Sequence, residues 1–131
     1  MYRVLLVDDD TEVLALNADY LQKAGYQVAC SENAEAALAV ASCAALDAIV
    51  LDVHLPGMDG VAFCRTLREV SRVPILFLSA YAEEDDRVRG LLAGGDDYIP
   101  KPFTLALVKM HIEAVLKRAG KLRTMVEYND L

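Results

Sequence analysis

The chain has 131 residues, enough for one domain with a core of its own. Hydrophobic residues make up 55% and tryptophan is absent, so the core is expected to be aliphatic and alanine-rich, and no apolar run approaches the roughly 20 residues of a membrane span. A net charge of −7 and a pI near 4.7 argue against a segment that itself grips nucleic acid and favour a cation or a basic partner.

Five short apolar runs follow in order. Arg3–Val7 comes first, and the N-terminal MYRVLL reads as a strand rather than a signal peptide. Leu14, Ala18 and Leu21 then share a helical face, and Gly25 closes that helix. Tyr26–Cys30 is a second strand, followed by Asn33 as a cap and by Ala34, Leu38 and Ala41 on one face. Asp47–Leu51 is a third strand that breaks at Pro56-Gly57, and Phe63, Cys64, Leu67 and Val70 face the core from the next helix. Pro74–Leu78 is a fourth strand. Val88, Leu91 and Leu92 mark a short fourth helix, which the acidic run Glu83–Asp86 opens and which Gly94 follows. Asp97–Ile99 is a weak fifth strand; Thr104 then caps a last helix with the stripe Leu105, Val108, Ile112, Val115 and Leu116, closed near Gly120. Strand and helix repeated five times predict a parallel α/β sheet with helices on both faces, because each return to a parallel strand needs a crossover. The first, third and fourth runs are almost continuous Val, Ile and Leu, as strands covered on both faces are. Three cysteines without metal-like spacing, Cys30, Cys43 and Cys64, are expected to be reduced, buried thiols in a cytoplasmic protein.

In such a sheet, ligands gather beyond the carboxyl ends of the strands. There the chain places Asp8-Asp9-Asp10 after the first strand, Asp52 at the end of the third, Ser79-Ala80 after the fourth and Lys101-Pro102 after the fifth. Turn chemistry explains Pro56-Gly57 but not a carboxylate ending the run AIVL. Two like charges about 4 Å apart repel by about 4 kcal/mol at an effective dielectric of about 20, so clustered carboxylates call for a cation. An all-oxygen set with no His/Cys cluster favours a hard ion, Mg²⁺ or Mn²⁺, which keeps waters and leaves room for a phosphoryl group. The plainer alternative is that Asp9 or Asp10 merely caps the following helix.

The blocks VLLVDDD, IVLDVHLPGMDG, LFLSA and DDYIPKPF, in that order over residues 3–118, resemble the receiver domains of two-component response regulators. The resemblance implies a flavodoxin-like doubly wound (βα)5 fold with strand order 2-1-3-4-5. It makes Asp52 the phosphoacceptor, served by a sensor histidine kinase. Asp9, Asp52 and the backbone carbonyl of His54 would ligate Mg²⁺, with Asp8 acting through a water of the ion's shell. Lys101 would contact a phosphoryl oxygen, aimed by a cis peptide bond before Pro102. Ser79 would donate its hydroxyl, and Tyr98 would turn inward as the Ser79 loop closes. The side chain of His54 is expected to face solvent, where the plainer reading is a bystander; the alternative is that with Tyr81 it restricts the hydrolytic water and lengthens the life of the phosphorylated state.

GGDDYIPKPF is similar to the winged-helix DNA-binding class, whose receivers dimerise through the fourth helix, fifth strand and fifth helix. Leu107 and His111 stand where that class carries Glu and Arg, and Glu113 where a basic residue is common; Arg87, Arg89, Asp96, Asp97 and Lys117 or Arg118 supply charge. The receiver is expected to span 1–119, with 120–131 a linker entering a DNA-binding domain that controls transcription; a free-standing receiver is the alternative. The chain is expected to be a signalling phosphoacceptor, not an enzyme on outside metabolites. A Mg²⁺-dependent phosphohydrolase with an aspartyl nucleophile normally has a second Asp where His54 stands. A flavodoxin-like nucleotide or flavin binder needs a phosphate-cradling loop where this chain has three aspartates.

Overall fold

A computed structural model describes residues 2–43, 45–79, 94–100 and 104–120, with the backbone alone at Cys43, Ser79 and Pro100. The elements are β1 (Arg3–Val7), α1 (Thr11–Lys23), β2 (Gln27–Ser31), α2 (Ala34–Cys43), β3 (Ala48–Asp52), α3 (Gly60–Leu67), β4 (Ile75–Ser79), β5 (Asp97–Pro100) and the C-terminal helix, here α4 (Leu105–Arg118). The helix expected around Val88 lies outside the described residues.

All five strands run parallel in the order β2-β1-β3-β4-β5. The three apolar runs become the three central strands, and β3 is buried at every position. Strands β2, β3 and β4 each begin one residue later than the apolar pattern suggests and end one residue later, on Ser31, Asp52 and Ser79. Backbone pairing continues past the last apolar side chain: Asp52 is in register with Leu78, and the next amide, Val53 N–H, donates to Leu78 O at 3.0 Å. This brings Asp52 inside the ladder.

Alternate strand residues feed two cores. Leu5, Val7, Ile49, Leu51, Ile75 and Phe77 face α2 and α3, joined by Ala34, Ala37, Phe63, Cys64 and Leu67. Val4, Leu6, Val50, Leu76, Leu78 and Ile99 face α1 and α4 and meet Leu14, Leu21, Val108, Ile112, Val115 and Leu116. At about 25 cal/mol per Å² of apolar surface buried, these two faces supply the main driving force for folding.

Two expectations need correction. Val70 does not complete the α3 stripe: the helix ends at Leu67 and Val70 sits in the following turn, 75% exposed. Cys30 is exposed rather than buried, because β2 is an edge strand with a neighbour on one side only; Cys64 is buried as expected.

The caps follow the sequence closely. Asn33 Oδ1 accepts from Ala36 N–H at 2.8 Å and Thr104 Oγ1 from Leu107 N–H at 3.1 Å. Beyond α3, Arg68 acts as a tie between elements. Its guanidinium donates to Gly94 O (2.9 Å), Val73 O (2.7 Å) and Asp96 Oδ2 (2.9 Å), joining the α3 terminus to the segments that enter β4 and β5. With only 13% of its side chain exposed, Arg68 satisfies carbonyls that would otherwise lose water without a partner.

Candidate functional site

Register alone brings the acidic groups together. Val7 pairs with Leu51, so Asp8 and Asp52, the next residues on adjacent parallel strands, fall level at the carboxyl edge. Asp9 follows in the β1–α1 loop. Carboxylate oxygens of Asp8, Asp9 and Asp52 lie within 4.8 Å of one another, the one such His/Cys/Asp/Glu group of metal-binding span among the described residues. Asp8 is 4% and Asp52 6% exposed, whereas Asp9 is open to solvent.

The capping alternative proves right for one member only. Asp10 Oδ1 accepts from Glu12 N–H (3.1 Å) and Val13 N–H (3.3 Å), capping α1. Since the cap falls to Asp10, Asp8 and Asp9 are held toward Asp52. Asp8 Oδ1 accepts from Asp10 N–H at 2.9 Å, and Asp8 N–H donates to Ser31 O at 3.2 Å, which fixes the β1 terminus against that of β2. Asp52 Oδ1 accepts from His54 N–H at 3.0 Å, so its carboxylate is held by the loop it begins.

That loop then closes on itself. Gly57 takes φ +77°, the left-handed value that favours glycine after Pro56. Gly60 N–H donates to Val53 O at 2.9 Å, and Asp59 caps α3 through Ala62 N–H at 2.8 Å. Gly60 packs so closely on the end of β3 that a Cβ there would stand 2.5 Å from Asp52 O. The sequence carries a signal for the Asp59 cap, an Asp just before the apolar helical stripe, whereas the Gly60 contact is tertiary and leaves no local mark.

The remaining expected positions divide. The His54 ring is exposed, two residues beyond Asp52. Tyr98 is partly buried against the core on the α2–α3 side, with its N–H donating to Asp97 Oδ1 at 2.8 Å. The backbone of Ser79 pairs with Pro100 at the same sheet edge, and its side chain lies outside the described set. Tyr81, Lys101 and Pro102 lie outside the described residues, as do Glu83–Asp86, Arg87 and Arg89.

The donor set fits a hard divalent cation. It is wholly oxygen, it concentrates three carboxylates in a span one ion can bridge, and two of the three are nearly excluded from water. An ion there offsets the mutual repulsion that burial strengthens.

A doubly wound sheet of order 2-1-3-4-5 with an acidic cluster beyond β1 and β3 thus defines a class of α/β domain. Residues 4–113 match the family model described as the response regulator receiver domain, and the chain belongs to that family. It is 40% identical over 119 residues to the transcriptional regulatory protein ResD of Bacillus subtilis (strain 168), covering 91% of this chain and 50% of ResD. It is 45% identical over 123 residues to the transcriptional regulatory protein PrrA of Mycobacterium tuberculosis (strain ATCC 25618 / H37Rv), covering 93% of this chain and 53% of PrrA. The chain therefore spans about half the length of these two relatives. Among solved structures, a CheY-like receiver domain protein from Methanospirillum hungatei JF-1 superposes with a TM-score of 0.87 at 28% identity, covering 92% of this chain and 98% of that one. A two-component response regulator from Clostridium difficile superposes with a TM-score of 0.86 at 27% identity, covering 91% and 98%. The expected parallel five-stranded sheet of order 2-1-3-4-5 and the receiver assignment both hold, and the chain is a signalling receiver domain. Among the described residues no helix is long and apolar enough to cross a membrane.

Proposed function

We propose that Asp52 accepts a phosphoryl group from a sensor histidine kinase in a Mg²⁺-dependent reaction, and that the acyl phosphate so formed switches an output domain that controls transcription. The observation that carries this reading is the meeting of Asp8, Asp9 and Asp52 within 4.8 Å at one sheet edge. Asp9, Asp52 and the His54 backbone carbonyl would hold Mg²⁺ (or Mn²⁺), with Asp8 behind them; the ion when bound neutralises charge on the phosphoryl oxygens. An Asp52 oxygen attacks phosphorus, the bond from phosphorus to the donor breaks, and the donor leaves with that electron pair. The His54 N–H on Asp52 Oδ1 orients the nucleophile.

In this reading Lys101 and Ser79 engage the phosphoryl oxygens, and Tyr98 follows Ser79 inward. The half-buried placement of Tyr98 against the core suits a ring that shifts between two packings. The names of the relatives, transcriptional regulatory proteins about twice as long as this chain, support residues 1–119 as the receiver and 120–131 as the lead into a DNA-binding output domain. Dimerisation on phosphorylation would use β5, α4 and the segment around Val88 that the sequence pattern reads as a helix. On the described part of that face, His111 Nδ1 meets Asp97 Oδ2 at 2.6 Å and Arg118 lies 3.8 Å from the same oxygen. Asp96 is turned instead to Arg68 and to Ile75 N–H.

Incubation with acetyl phosphate is expected to add one phosphoryl group, seen by intact-mass spectrometry, only when Mg²⁺ is present; light scattering on the same sample reads dimerisation. Absence of any adduct with Mg²⁺ and under conditions that preserve acyl phosphates would overturn the reading. The exposed ring of His54, with Tyr81, is proposed to restrict the hydrolytic water. Replacing both with small side chains is expected to shorten the half-life of the adduct severalfold, and an unchanged decay rate would remove that role.

A further inference from the structure

One side-chain contact near the site belongs to none of the groups assigned so far. Glu35 stands in the first turn of α2, yet its Oε1 reaches across to the β3–α3 loop and accepts from Met58 N–H at 3.0 Å. The contact spans 23 residues of chain and ends in the loop that begins at Asp52. Glu35 Oε1 also sits where a Cβ on Gly57 would come, 3.0 Å away, so the left-handed glycine leaves the space that the carboxylate fills.

Held by its own helix terminus at one end, Glu35 is a fixed acceptor rather than a wandering surface charge. Two donors hold its carboxylate below the usual carboxylate range, first the Met58 N–H and then its own backbone N–H. A charge-assisted bond from carboxylate to backbone amide is stronger and shorter in reach than a neutral one. Its geometric effect is to close a ring of restraints around the loop. His54 N–H holds the loop's start to Asp52, Gly60 N–H holds its end to Val53 O, and Glu35 holds its outer bend.

We infer that Glu35 is a positioning residue for the phosphoacceptor loop: its grip on Met58 N–H sets where the loop between Asp52 and Gly60 lies relative to Asp8 and Asp9. The inference rests on the proposed role of Asp52 and names a residue, outside the acidic cluster, on which cation affinity depends. Groups behind a ligand commonly govern metal affinity by 10- to 100-fold, because they determine how much ordering the ion must impose. Glu35 is exposed, so its loss acts on the loop more than on the fold.

The experiment measures Mg²⁺ affinity and the phosphorylation rate by acetyl phosphate for the wild-type chain, Glu35→Ala and Glu35→Gln. Glu35→Ala is expected to weaken Mg²⁺ binding about 10-fold, with most of the lost rate recovered at saturating Mg²⁺. Glu35→Gln keeps an oxygen acceptor for Met58 N–H and is expected to restore affinity to within about 3-fold of wild type. Thermal unfolding without Mg²⁺ reports whether each variant is folded. Wild-type affinity in folded Glu35→Ala overturns the inference, as does a Glu35→Gln defect equal to that of alanine, which would point to charge rather than to the loop contact. If the wild-type chain itself took no phosphoryl group, the Asp52 assignment would fail instead, and Mg²⁺ affinity would still decide the role of Glu35.

Discussion

Asp52→Asn is expected to abolish phosphoryl uptake while leaving the fold intact, and to make the metal-free protein more stable. The amide is nearly isosteric with the carboxylate and keeps an oxygen that can accept from His54 N–H, now 3.0 Å from Asp52 Oδ1. It cannot form an acyl phosphate. Stability rises because one of three carboxylates packed within 4.8 Å is neutralised, two of them nearly buried. Relief of like-charge repulsion at this range is worth about 1 kcal/mol or more, after solvent screening by the open side at Asp9. With Mg²⁺ present the order reverses in part. An ion at 100 times its dissociation constant stabilises the wild-type fold by about 2.7 kcal/mol, and the variant, lacking a ligand charge, gains less. Chemical denaturation of both proteins, with and without Mg²⁺, checks the crossing. An adduct on Asp52→Asn equal to that on wild type would assign the chemistry to another carboxylate.

The same register that explains the cluster explains how much of it was legible. Continuous Val/Ile/Leu runs identify central parallel strands, and parallel strands put their carboxyl ends on one edge. Asp8, Asp9 and Asp52 could therefore be grouped before any coordinate was known. The capping of α1 was open between Asp9 and Asp10, because both sit at cap distance from the first helical turn; packing gives it to Asp10. Val70 misled because a 3.6-residue stripe carries no mark of its end. The helix stops at Leu67, and the Arg68 guanidinium is drawn to carbonyls of the segments entering β4 and β5. Cys30 misled because burial of a strand residue depends on whether the strand lies at the sheet's edge, which is a property of strand order and not of the run itself. Glu35 was invisible for a related reason: it and Met58 are 23 residues apart, and nothing in either local pattern announces that they meet.

Gly60 carries the second large effect, and it links stability to chemistry. A methyl group there would come 2.5 Å from Asp52 O and 3.1 Å from Val53 Cα. Both neighbours are backbone inside a parallel ladder, so neither can swing aside as a side chain would. Either the start of α3 lifts or the end of β3 sinks. The first breaks the Gly60 N–H bond to Val53 O and the second moves Asp52. Gly60→Ala is therefore expected to lose about 2–3 kcal/mol of stability. Among the molecules that remain folded, the phosphorylation rate is expected to fall at least about 10-fold, since misplacing a reacting group by about 1 Å can cost as much as 100-fold. Gly25→Ala provides the contrast. Its φ of +100° imposes a comparable backbone cost of about 1–2 kcal/mol, but a Cβ there meets nothing within 4 Å, and the turn lies at the opposite edge of the sheet, before β2. That variant is expected to be destabilised and to phosphorylate at the wild-type rate once corrected for the folded fraction. If Gly60→Ala also kept the wild-type rate after that correction, the close approach of α3 to β3 would be a matter of packing alone. A selective loss would show that this contact holds Asp52 in its reactive position.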